Sequence, residues 1–372
     1  MTPMPASDLV AFSHLRWDWV YQRPQHLMSR AARTRRVFFV EEPCFGDFRT
    51  EMTVTPAAPN VSVVRPHLPA HLTADQVIEV QRRLLDEFLE RMNVRVDVRW
   101  YFTPAALEFS SHVSAKSVVY DCMDELSAFA GATATMVEME RALLGAADIV
   151  FTGGRSLYEA KHLLHHDVHA MASCVDLEHF RAARTISDEF SPQAGIPYPR
   201  IGYCGVLDER LDLPLIATVA RAHPTWQFVF AGPVAKIDPS SLPSADNLHY
   251  LGALTYGELP HLMSGWDVGW MPFALNAATR YISPTKTPEY LAAGLPVVSS
   301  AVEDVVRAWG EPGFVRIARS PDDFGECIAL SLQEEPSMMA RTKLDRVLAT
   351  QSWDALWSRM DGLMPYSRTN AA

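Results

Sequence analysis

Residues 283–300 read SPTKTPEYLAAGLPVVSS, and their pattern is the most informative one in the chain about its fold. It predicts a loop, a short helix, a turn at the Gly-Leu-Pro triplet and a buried strand, which is a unit typical of parallel α/β sheets. The sequence allows two starting positions for the helix. Either Ser283 or Thr287 caps it, because each is followed by a proline that suits the first helical position. Under both alternatives Glu289 lies near the helix N-terminus.

The same stretch carries charges that suit a nucleotide. The free amides and the positive dipole end of a helix attract an anion such as a diphosphate, and Lys286 adds an ammonium for that anion. Glu289 follows three residues later and can accept hydrogen bonds from the two vicinal hydroxyls of a ribose. Together these groups predict a nucleoside diphosphate site. Spacing alone also allows a solvated ion pair at a helix start.

Short apolar runs alternate with helical stretches on both sides of this segment, which is typical of a parallel sheet covered by helices. Strands are predicted at residues 9–12, 37–40, 61–64, 98–102, 117–120, 148–151, 201–206, 226–232, 248–252, 267–273, 296–300 and 314–318. Helices are predicted at 24–33, 74–92 with Thr73 as the cap, 135–146, 156–164, 212–222 and 258–264, before a helix that ends near 293 and a helical tail after 322.

The length of 372 residues predicts two domains, because single cores stop growing near roughly 250–300 residues. Residues 185–200 contain three prolines and no periodicity, so we place the linker there. The predicted domains are 1–185 and 186–372. Open α/β sheets bind ligands outside the carboxyl ends of their strands, so the site is expected in the cleft between the domains.

Composition excludes several classes of function. The 33 basic and 44 acidic residues give a net charge of -11, whereas a protein that binds duplex nucleic acid needs a basic face to displace counterions. The five cysteines form no CxxC pair, which argues against a zinc ribbon or a disulfide scaffold. No apolar run reaches the roughly 18 residues of a membrane span. We therefore expect a cytoplasmic protein in a reducing compartment.

The stretch at 283–300 resembles the donor-binding segment of GT-B glycosyltransferases, specifically the bacterial family 4 and "family 1 protein" type of cell-envelope and exopolysaccharide synthesis. Nearly the whole chain shares this resemblance, in blocks that follow the family's order: FSHLRWDWVYQRPQHLMSRAA (12–32), VYDCMDELSAF (119–129), ADIVFTGGRSLYEAK (147–161), CVDLEHF (174–180), GVLDERLDL (205–213) and MPFALNAATRYISPTKTPEYLAAG (271–294). The resemblance implies two doubly wound, Rossmann-like domains that face a cleft, with C-terminal helices packing back toward the N-terminal domain.

The family's chemistry follows from the same resemblance. It implies a nucleoside diphosphate sugar on the C-terminal domain, a saccharide or lipid-linked acceptor on the N-terminal domain, and hexosyl transfer between them without a cofactor or a metal. Glu289 matches the second glutamate of the family's Glu, seven residues, Glu motif, which binds the ribose. Lys286 matches the phosphate-binding lysine of some relatives. The first glutamate is absent, because Tyr281 stands at its position.

The predicted donor-binding residues are Gly205, Arg210, Arg280, Ser283, Thr285, Lys286 and Glu289. Lys286 is also predicted to be catalytic, because it would stabilise the departing diphosphate. Arg210 has two alternative roles: it binds the diphosphate, or it forms a surface ion pair with a neighbouring aspartate such as Asp208. Arg280 stays open between the diphosphate and a place at the surface, although its planar guanidinium suits a phosphate.

Residues of the N-terminal domain are predicted to serve the acceptor. The loop after the first strand contributes His14, Arg16 and Arg23 as acceptor-side candidates. Asp124 follows another strand and is the candidate general base, with helix capping near Leu126 as its alternative role.

Other functions stay open at this point. A basic cluster at the end of the first helix is either solvated surface or a peripheral contact with the inner face of a membrane; it comprises Arg30, Arg33, Arg35 and Arg36. The alternatives to a transferase are a nucleotide-sugar epimerase or hydrolase, and a non-catalytic nucleotide-sugar-binding protein, for which the missing first glutamate leaves room. A dinucleotide dehydrogenase is excluded because no predicted strand ends in G-x-G-x-x-G.

Overall fold

The computed structural model describes residues 8–47, 49–128, 134–334 and 337–365. Their strands form two sheets. The first sheet contains β1 (Asp8–Ser13), β2 (Arg36–Glu41), β3 (Cys44–Gly46), β4 (Glu51–Ala58), β5 (Val61–Pro69), β6 (Val96–Tyr101), β7 (Ser117–Cys122), β8 (Ile149–Thr152) and β9 (Val168–Ala170). Its order is β3-β5-β2-β1-β6-β7-β8-β9, and it is parallel except for β4, which pairs antiparallel to β5.

The second sheet is parallel and smaller. It contains β10 (Arg200–Cys204), β11 (Gln227–Ala231), β12 (Leu248–Tyr250), β13 (Val268–Met271), β14 (Val297–Ser300) and β15 (Arg316–Ala318), in the order β12-β11-β10-β13-β14-β15. The strand order reverses between β1 and β6 in the first sheet and between β10 and β13 in the second. Sheets of this kind bind ligands in the crevices at those two points.

Helices lie between the strands. They are α1 (Arg23–Ala31), α2 (Ala74–Arg91), α3 (Leu107–Ser110), α4 (Ala134–Ala146), α5 (Arg155–Lys161), α6 (Leu177–Arg181), α7 (Leu213–Ala222), α8 (Leu259–Ser264), α9 (Lys286–Ala293), α10 (Glu303–Val305), α11 (Pro321–Gln333), α12 (Met338–Ala349) and α13 (Trp353–Leu363). We call the first sheet with its helices the first lobe and the second sheet with its helices the second lobe.

The central strands are almost continuous apolar runs because helices cover both faces of each sheet. Every residue of β1 and of β10 is buried. The predicted strands are confirmed to within a few residues. The N-cap of α2 is also confirmed, since the Thr73 hydroxyl accepts a hydrogen bond from the Gln76 N–H at 3.4 Å.

The start of α9 lies between the two predicted starts, so both are wrong by a small margin. The helix begins at Lys286 and Thr285 precedes it. The Thr287 N–H already donates to the Pro284 carbonyl at 3.3 Å, which winds the chain before the helix proper. Pro288 falls in the first turn, where a backbone N–H has no partner within the helix.

The last helix, α13, packs on the first lobe although it ends the chain. Trp353 and Trp357 belong to the core formed by Trp100 and the first sheet, and the rings of Trp100 and Trp357 lie 5.7 Å apart. The expected return of the C-terminal helices toward the N-terminal domain is therefore confirmed. The first lobe draws its core from both ends of the chain.

Candidate active site

A cavity of about 100 Å³ lies between the lobes, at the carboxyl ends of strands from both sheets. The first lobe contributes Gln22, Arg23, Met123, Asp124 and Gly153, the second contributes Arg210, Phe273 and residues 282–286, and Ser173 lies at the connection between them. Predicted residues of the donor side and of the acceptor side thus share one cavity.

Lys286 crosses the backbone at Gly205 and ends over Tyr203, with 5.5 Å between its ammonium nitrogen and the centre of the ring. Gly205 has a φ of +144°, and a Cβ there would lie only 2.6 Å from that nitrogen. Glycine is therefore required both by the backbone and by the lysine. Burial lowers the pKa of Lys286, and the neighbouring charge of Arg210 lowers it further. A bound anion would compensate this ammonium.

Glu289 lies in the first turn of α9, next to Lys286, and is half-buried. Burial raises the pKa of Glu289 to about 7, although Lys286 and a hydrogen bond from Thr285 act in the opposite direction. Vicinal hydroxyls that donate to this carboxylate would stabilise its charged form and lower the pKa again. The carboxyl group is therefore suited to a ribose.

The start of α9 offers fewer free amides than its sequence predicts. The amides of Thr287 and Glu289 donate to the carbonyls of Pro284 and Thr285, at 3.3 and 3.2 Å. Pro288 has no N–H to give. These three positions therefore supply nothing to a diphosphate, and the side chain of Lys286 is the principal attraction for an anion at this helix.

Arg210 forms the ion pair with Asp208 that was one of its two alternatives, and its role toward a diphosphate stays a prediction. Its guanidinium forms a two-pronged ion pair with Asp208, at 2.9 Å from Nε and 2.7 Å from Nη2, and the residue also lines the cavity beside Lys286. Because Asp208 neutralises part of this charge, Arg210 is a positioned but weakened cation. The carboxylate also holds the guanidinium in one orientation.

The remaining donor-side candidates separate into two groups. Ser283 and Thr285 line the cavity. Arg280 does not line it; this residue is exposed, and its guanidinium lies over the ring of Tyr281 at 5.3 Å. Tyr281, at the position of the missing glutamate, packs against the core of the first lobe. An aromatic contact between the lobes therefore replaces the carboxylate of the motif.

On the first lobe, His14 and Asp124 interact electrostatically. Burial lowers the pKa of His14, while Asp124 acts to raise it. The backbone of Phe102 also acts to raise this pKa. The His14 Nδ1 is buried and has no hydrogen-bond partner among the described residues. His14 does not line the cavity between the lobes.

The other two acceptor-side candidates have their donors occupied. The Arg23 guanidinium is buried and binds Asp121 at 2.8 to 3.0 Å and the Met171 carbonyl at 2.7 Å. Arg16 binds the carboxylate of Glu41 at 3.1 Å and does not line the cavity. In this arrangement both arginines organise the first lobe, and His14 is the candidate with an unused polar atom.

Sequence reasoning missed a carboxylate that joins the lobes. Asp304, on α10 of the second lobe, accepts hydrogen bonds from the backbone amides of Arg155 and Ser156 at 2.9 and 3.0 Å. These amides begin α5 of the first lobe. The Gly-Gly pair before α5 was a signal for a close approach, because a Cβ on Gly154 would collide with Asp304 and lie 2.8 Å from the Ser283 Cβ.

The basic cluster at the end of α1 forms ion pairs with carboxylates of β1 and of α13. Its members are all ion-paired: Arg30 and Arg33 with Asp354, Arg35 with Asp361, and Arg36 with Asp8. Three of the four therefore fasten α13 to the first lobe. Among the described helices none has the length and apolar character to cross a bilayer. A contact with a membrane surface stays a prediction.

Two facing α/β lobes with a polar cavity between the carboxyl ends of their strands define the GT-B fold. Residues 213–361 match the family model described as glycosyl transferase-like. The chain is 28% identical over 219 residues to the putative teichuronic acid biosynthesis glycosyltransferase TuaH of Bacillus subtilis (strain 168), a match that covers 54% of each chain. The chain therefore spans about half the length of this curated relative.

Solved structures show the same fold over nearly the whole chain. Sucrose-phosphate synthase from Thermosynechococcus elongatus superposes with a TM-score of 0.73 at 16% identity, covering 98% of this chain and 99% of that one. HepE of Anabaena in complex with UDP superposes with a TM-score of 0.65 at 12% identity, covering 95% and 98%. The predicted resemblance to GT-B glycosyltransferases is confirmed.

Proposed function

We propose that this protein is a glycosyltransferase that moves a hexosyl group from a nucleoside diphosphate sugar to a saccharide or lipid-linked acceptor. The observation that carries the proposal is the pairing of Lys286, which lies over Gly205 and lines the cavity, with Glu289 on the same helical turn. Asp124 lines the same cavity from the first lobe, whereas Glu289 lies next to Lys286 outside its lining. Lys286 suits the diphosphate of a donor, and Glu289 suits its ribose. The match of residues 213–361 to a glycosyl transferase-like family supports the same reaction.

Stabilisation of the leaving group is the main catalytic task in this proposal. When the bond between the anomeric carbon and the diphosphate breaks, negative charge develops on the departing oxygen. Lys286 is held in place by Gly205 and Tyr203 before any donor binds, so it costs little reorganisation at that moment. Arg210 assists from a fixed position, although Asp208 shares its charge.

The acceptor hydroxyl would be activated from the first lobe. Asp124 lines the cavity and remains the proposed general base. His14 does not line the cavity, but it interacts electrostatically with Asp124 and is the second titratable group we propose for this side of the site. Asp124 would then orient and stabilise the imidazolium. The variants Asp124→Asn and His14→Gln separate these roles through the pH dependence of turnover.

Titration with UDP, GDP, ADP and dTDP by calorimetry is the first experiment. UDP sugars come first among donors because HepE, which shares the fold, is found in complex with UDP. Binding of one nucleotide in the micromolar range would support the donor site. If none of the four binds, the proposed donor site is refuted.

Lys286→Met tests the catalytic step. We expect a loss of roughly 10²- to 10³-fold in turnover, as for removal of other groups that stabilise a developing charge, with a smaller loss in donor affinity. Lys343→Met is the matched control, because Lys343 lies over Phe314 in the second lobe. Unchanged turnover in the Lys286 variant would remove the catalytic assignment.

Glu289→Ala tests the ribose contact. We expect the Kd for the nucleotide to rise about tenfold or more, in line with the loss of a hydrogen bond to a charged group.

Analysis of the reaction products distinguishes a transferase from the other classes of protein. Donor turnover without any acceptor would favour an epimerase or hydrolase. Tight donor binding without transfer to any acceptor in a cell-envelope extract would favour a non-catalytic binding protein.

A further inference from the structure

A second cavity, of about 450 Å³, lies wholly within the first lobe. It opens where β1, β2 and β6 end, between Ser13, Glu42 and Thr103. The strand order of the first sheet reverses between β1 and β6, so the cavity occupies the crevice where sheets of this kind bind ligands. Its volume lies within the roughly 300–1,000 Å³ that is usual for small-molecule sites.

The walls of this cavity are mainly apolar. Phe12, Val40 and Phe109 form one side, and the rings of Phe12 and Phe109 meet edge to face at 5.7 Å. Ile78 of α2 lines another side, and Phe45 of the short strand β3 is 52% exposed. A large exposed aromatic ring on an apolar cavity is characteristic of a binding surface rather than of a finished core.

Two polar side chains in the cavity belong to residues that are largely buried. Gln81 is 6% exposed and Thr103 is 5% exposed, and both line the cavity. Neither side chain forms a hydrogen bond within the part of the chain that the structure describes. Neither residue is among the described ones with a fully buried, unsatisfied polar atom, so the amide of Gln81 and the hydroxyl of Thr103 remain accessible. Both can therefore form hydrogen bonds with an occupant that offers hydroxyl or amine groups.

The charged side chains among the described residues that line the cavity are all acidic. The described residues that line it include neither lysine nor arginine. Glu42 and Glu108 also line it, and neither carboxylate has an ion pair among the described residues. Arg16 lies nearby, but its guanidinium is taken up by Glu41 and by the carbonyl of Glu42. A phosphate or carboxylate in this cavity would therefore meet acidic side chains and no basic side chain among the described lining residues, although the start of α2 at Ala74 presents helix amides.

We propose that this cavity binds the apolar part of the acceptor, and that this part carries hydroxyl or amine groups but no phosphate or carboxylate. Ser13 lines the cavity, and the next residue, His14, interacts with Asp124 of the site between the lobes. An acceptor whose apolar part fills the cavity can thus present a hydroxyl to the cleft. The acceptor role rests on the proposed function, whereas binding of the apolar group does not.

Binding is tested with N-phenyl-1-naphthylamine, an uncharged dye that fluoresces in apolar sites, and with competitors that share an eight-carbon chain. We expect octyl β-glucoside and octylamine, below their micelle concentrations, to displace the dye at least tenfold more effectively than octyl phosphate. Equal or better displacement by octyl phosphate would overturn the charge argument. Failure of the dye to bind at all would overturn the site.

Two variants test whether the dye binds in this cavity. Ala74→Trp places a large ring on the lining at the start of α2, and we expect a loss of dye binding of tenfold or more. Glu79→Trp is the matched control, since it lies on the same helix, is exposed and does not line the cavity. Equal dye binding in both variants would overturn the assignment of the site.

Gln81→Leu tests the polar contact inside the cavity. We expect the variant to bind the dye as the wild type does but to bind octyl β-glucoside several-fold more weakly; unchanged glucoside binding would overturn the role of Gln81. Nucleotide titration is run on the same samples. If the dye results hold while no nucleotide binds, the cavity stands and the transferase proposal fails. If nucleotides bind and the dye does not, the donor site is supported and the proposal for the cavity fails.

Discussion

Glu289 and Lys286 both have pKa values displaced toward their neutral forms, because each charge is buried without full compensation. Their mutual attraction opposes the displacement in both groups but does not cancel it. A donor supplies what is missing, since its diphosphate is an anion for Lys286 and its ribose hydroxyls are donors for Glu289. Burial of these two charges lowers the stability of the protein without a donor. A donor that compensates the charges would recover this free energy on binding.

Glu289→Gln should stabilise the protein without nucleotide at high pH. The native pKa of about 7 lies above the usual value of 4.5, so the folded state holds more protons between these values and stability falls as pH rises through that window. The free energy of unfolding of the variant does not fall in this way. Relative to the wild type, it should therefore be higher at pH 8 than at pH 4 by roughly 1 to 3 kcal/mol. Urea unfolding at both pH values measures it, with the exposed Glu311→Gln as the control.

Gly205→Ala should displace the ammonium of Lys286. The added Cβ collides with the lysine side chain in a conformation that already disfavours alanine, so we expect turnover to fall tenfold or more and the free energy of unfolding to fall by about 1 to 3 kcal/mol. Gly252→Ala is the control, because Gly252 has a φ of +75° and open space around its Cβ position. Similar turnover losses in both variants would trace the effect to backbone strain rather than to Lys286.

At the scale of elements, α13 belongs to the first lobe through two different interactions. Trp357 packs against Trp100, while Asp354 and Asp361 pair with the basic cluster that follows α1. The exposed pair between Arg33 and Asp354 contributes about 1 kcal/mol or less, whereas burial of an indole contributes several. Arg35 is buried, so its pair with Asp361 is less screened by solvent. The tryptophans therefore hold the helix, and the ion pairs define its orientation.

Trp357→Ala should cost about 3 to 5 kcal/mol of unfolding free energy, the usual range for a buried tryptophan. Asp354→Asn should cost about 1 kcal/mol or less, because Asp354 is half exposed and its ion pairs are screened. Thermal unfolding of both variants measures the difference. Trp19→Ala, at a tryptophan that is 46% exposed, is the control for loss of an indole. A small effect at Trp357 would contradict the role of the indole in docking α13.

The elements also show what local sequence can predict. The central strands were found because both of their faces are buried, which produces continuous apolar runs. Strand β4 was missed because it lies at the edge of the sheet, contains Pro56 and is largely exposed. Lys286 and Glu289 could be predicted because they share one helical turn. Asp304 could not, since its partners on α5 lie about 150 positions away and only the fold brings them together.

For the whole molecule, the lobes meet around a cavity smaller than a donor requires. Its volume of about 100 Å³ is below the roughly 300 Å³ at which small-molecule sites begin. Contacts between the lobes keep it narrow: Asp304 caps α5, and Arg307 pairs with Glu159 at 2.8 Å. In the proposed reaction we expect the lobes to separate when a donor enters and these contacts to re-form when the lobes close.

Asp304→Ala should shift the protein toward an open arrangement. The substitution removes two hydrogen bonds between the lobes and leaves the start of α5 uncapped, so we expect a larger radius of gyration in small-angle scattering and a turnover reduced about tenfold. The lobes should still unfold in the same cooperative transition. Asp322→Ala, at an exposed aspartate in the first turn of α11, is the control. If scattering and turnover match the wild type, Asp304 is a local helix cap and closure depends on other contacts, such as the packing of Tyr281 against the first lobe.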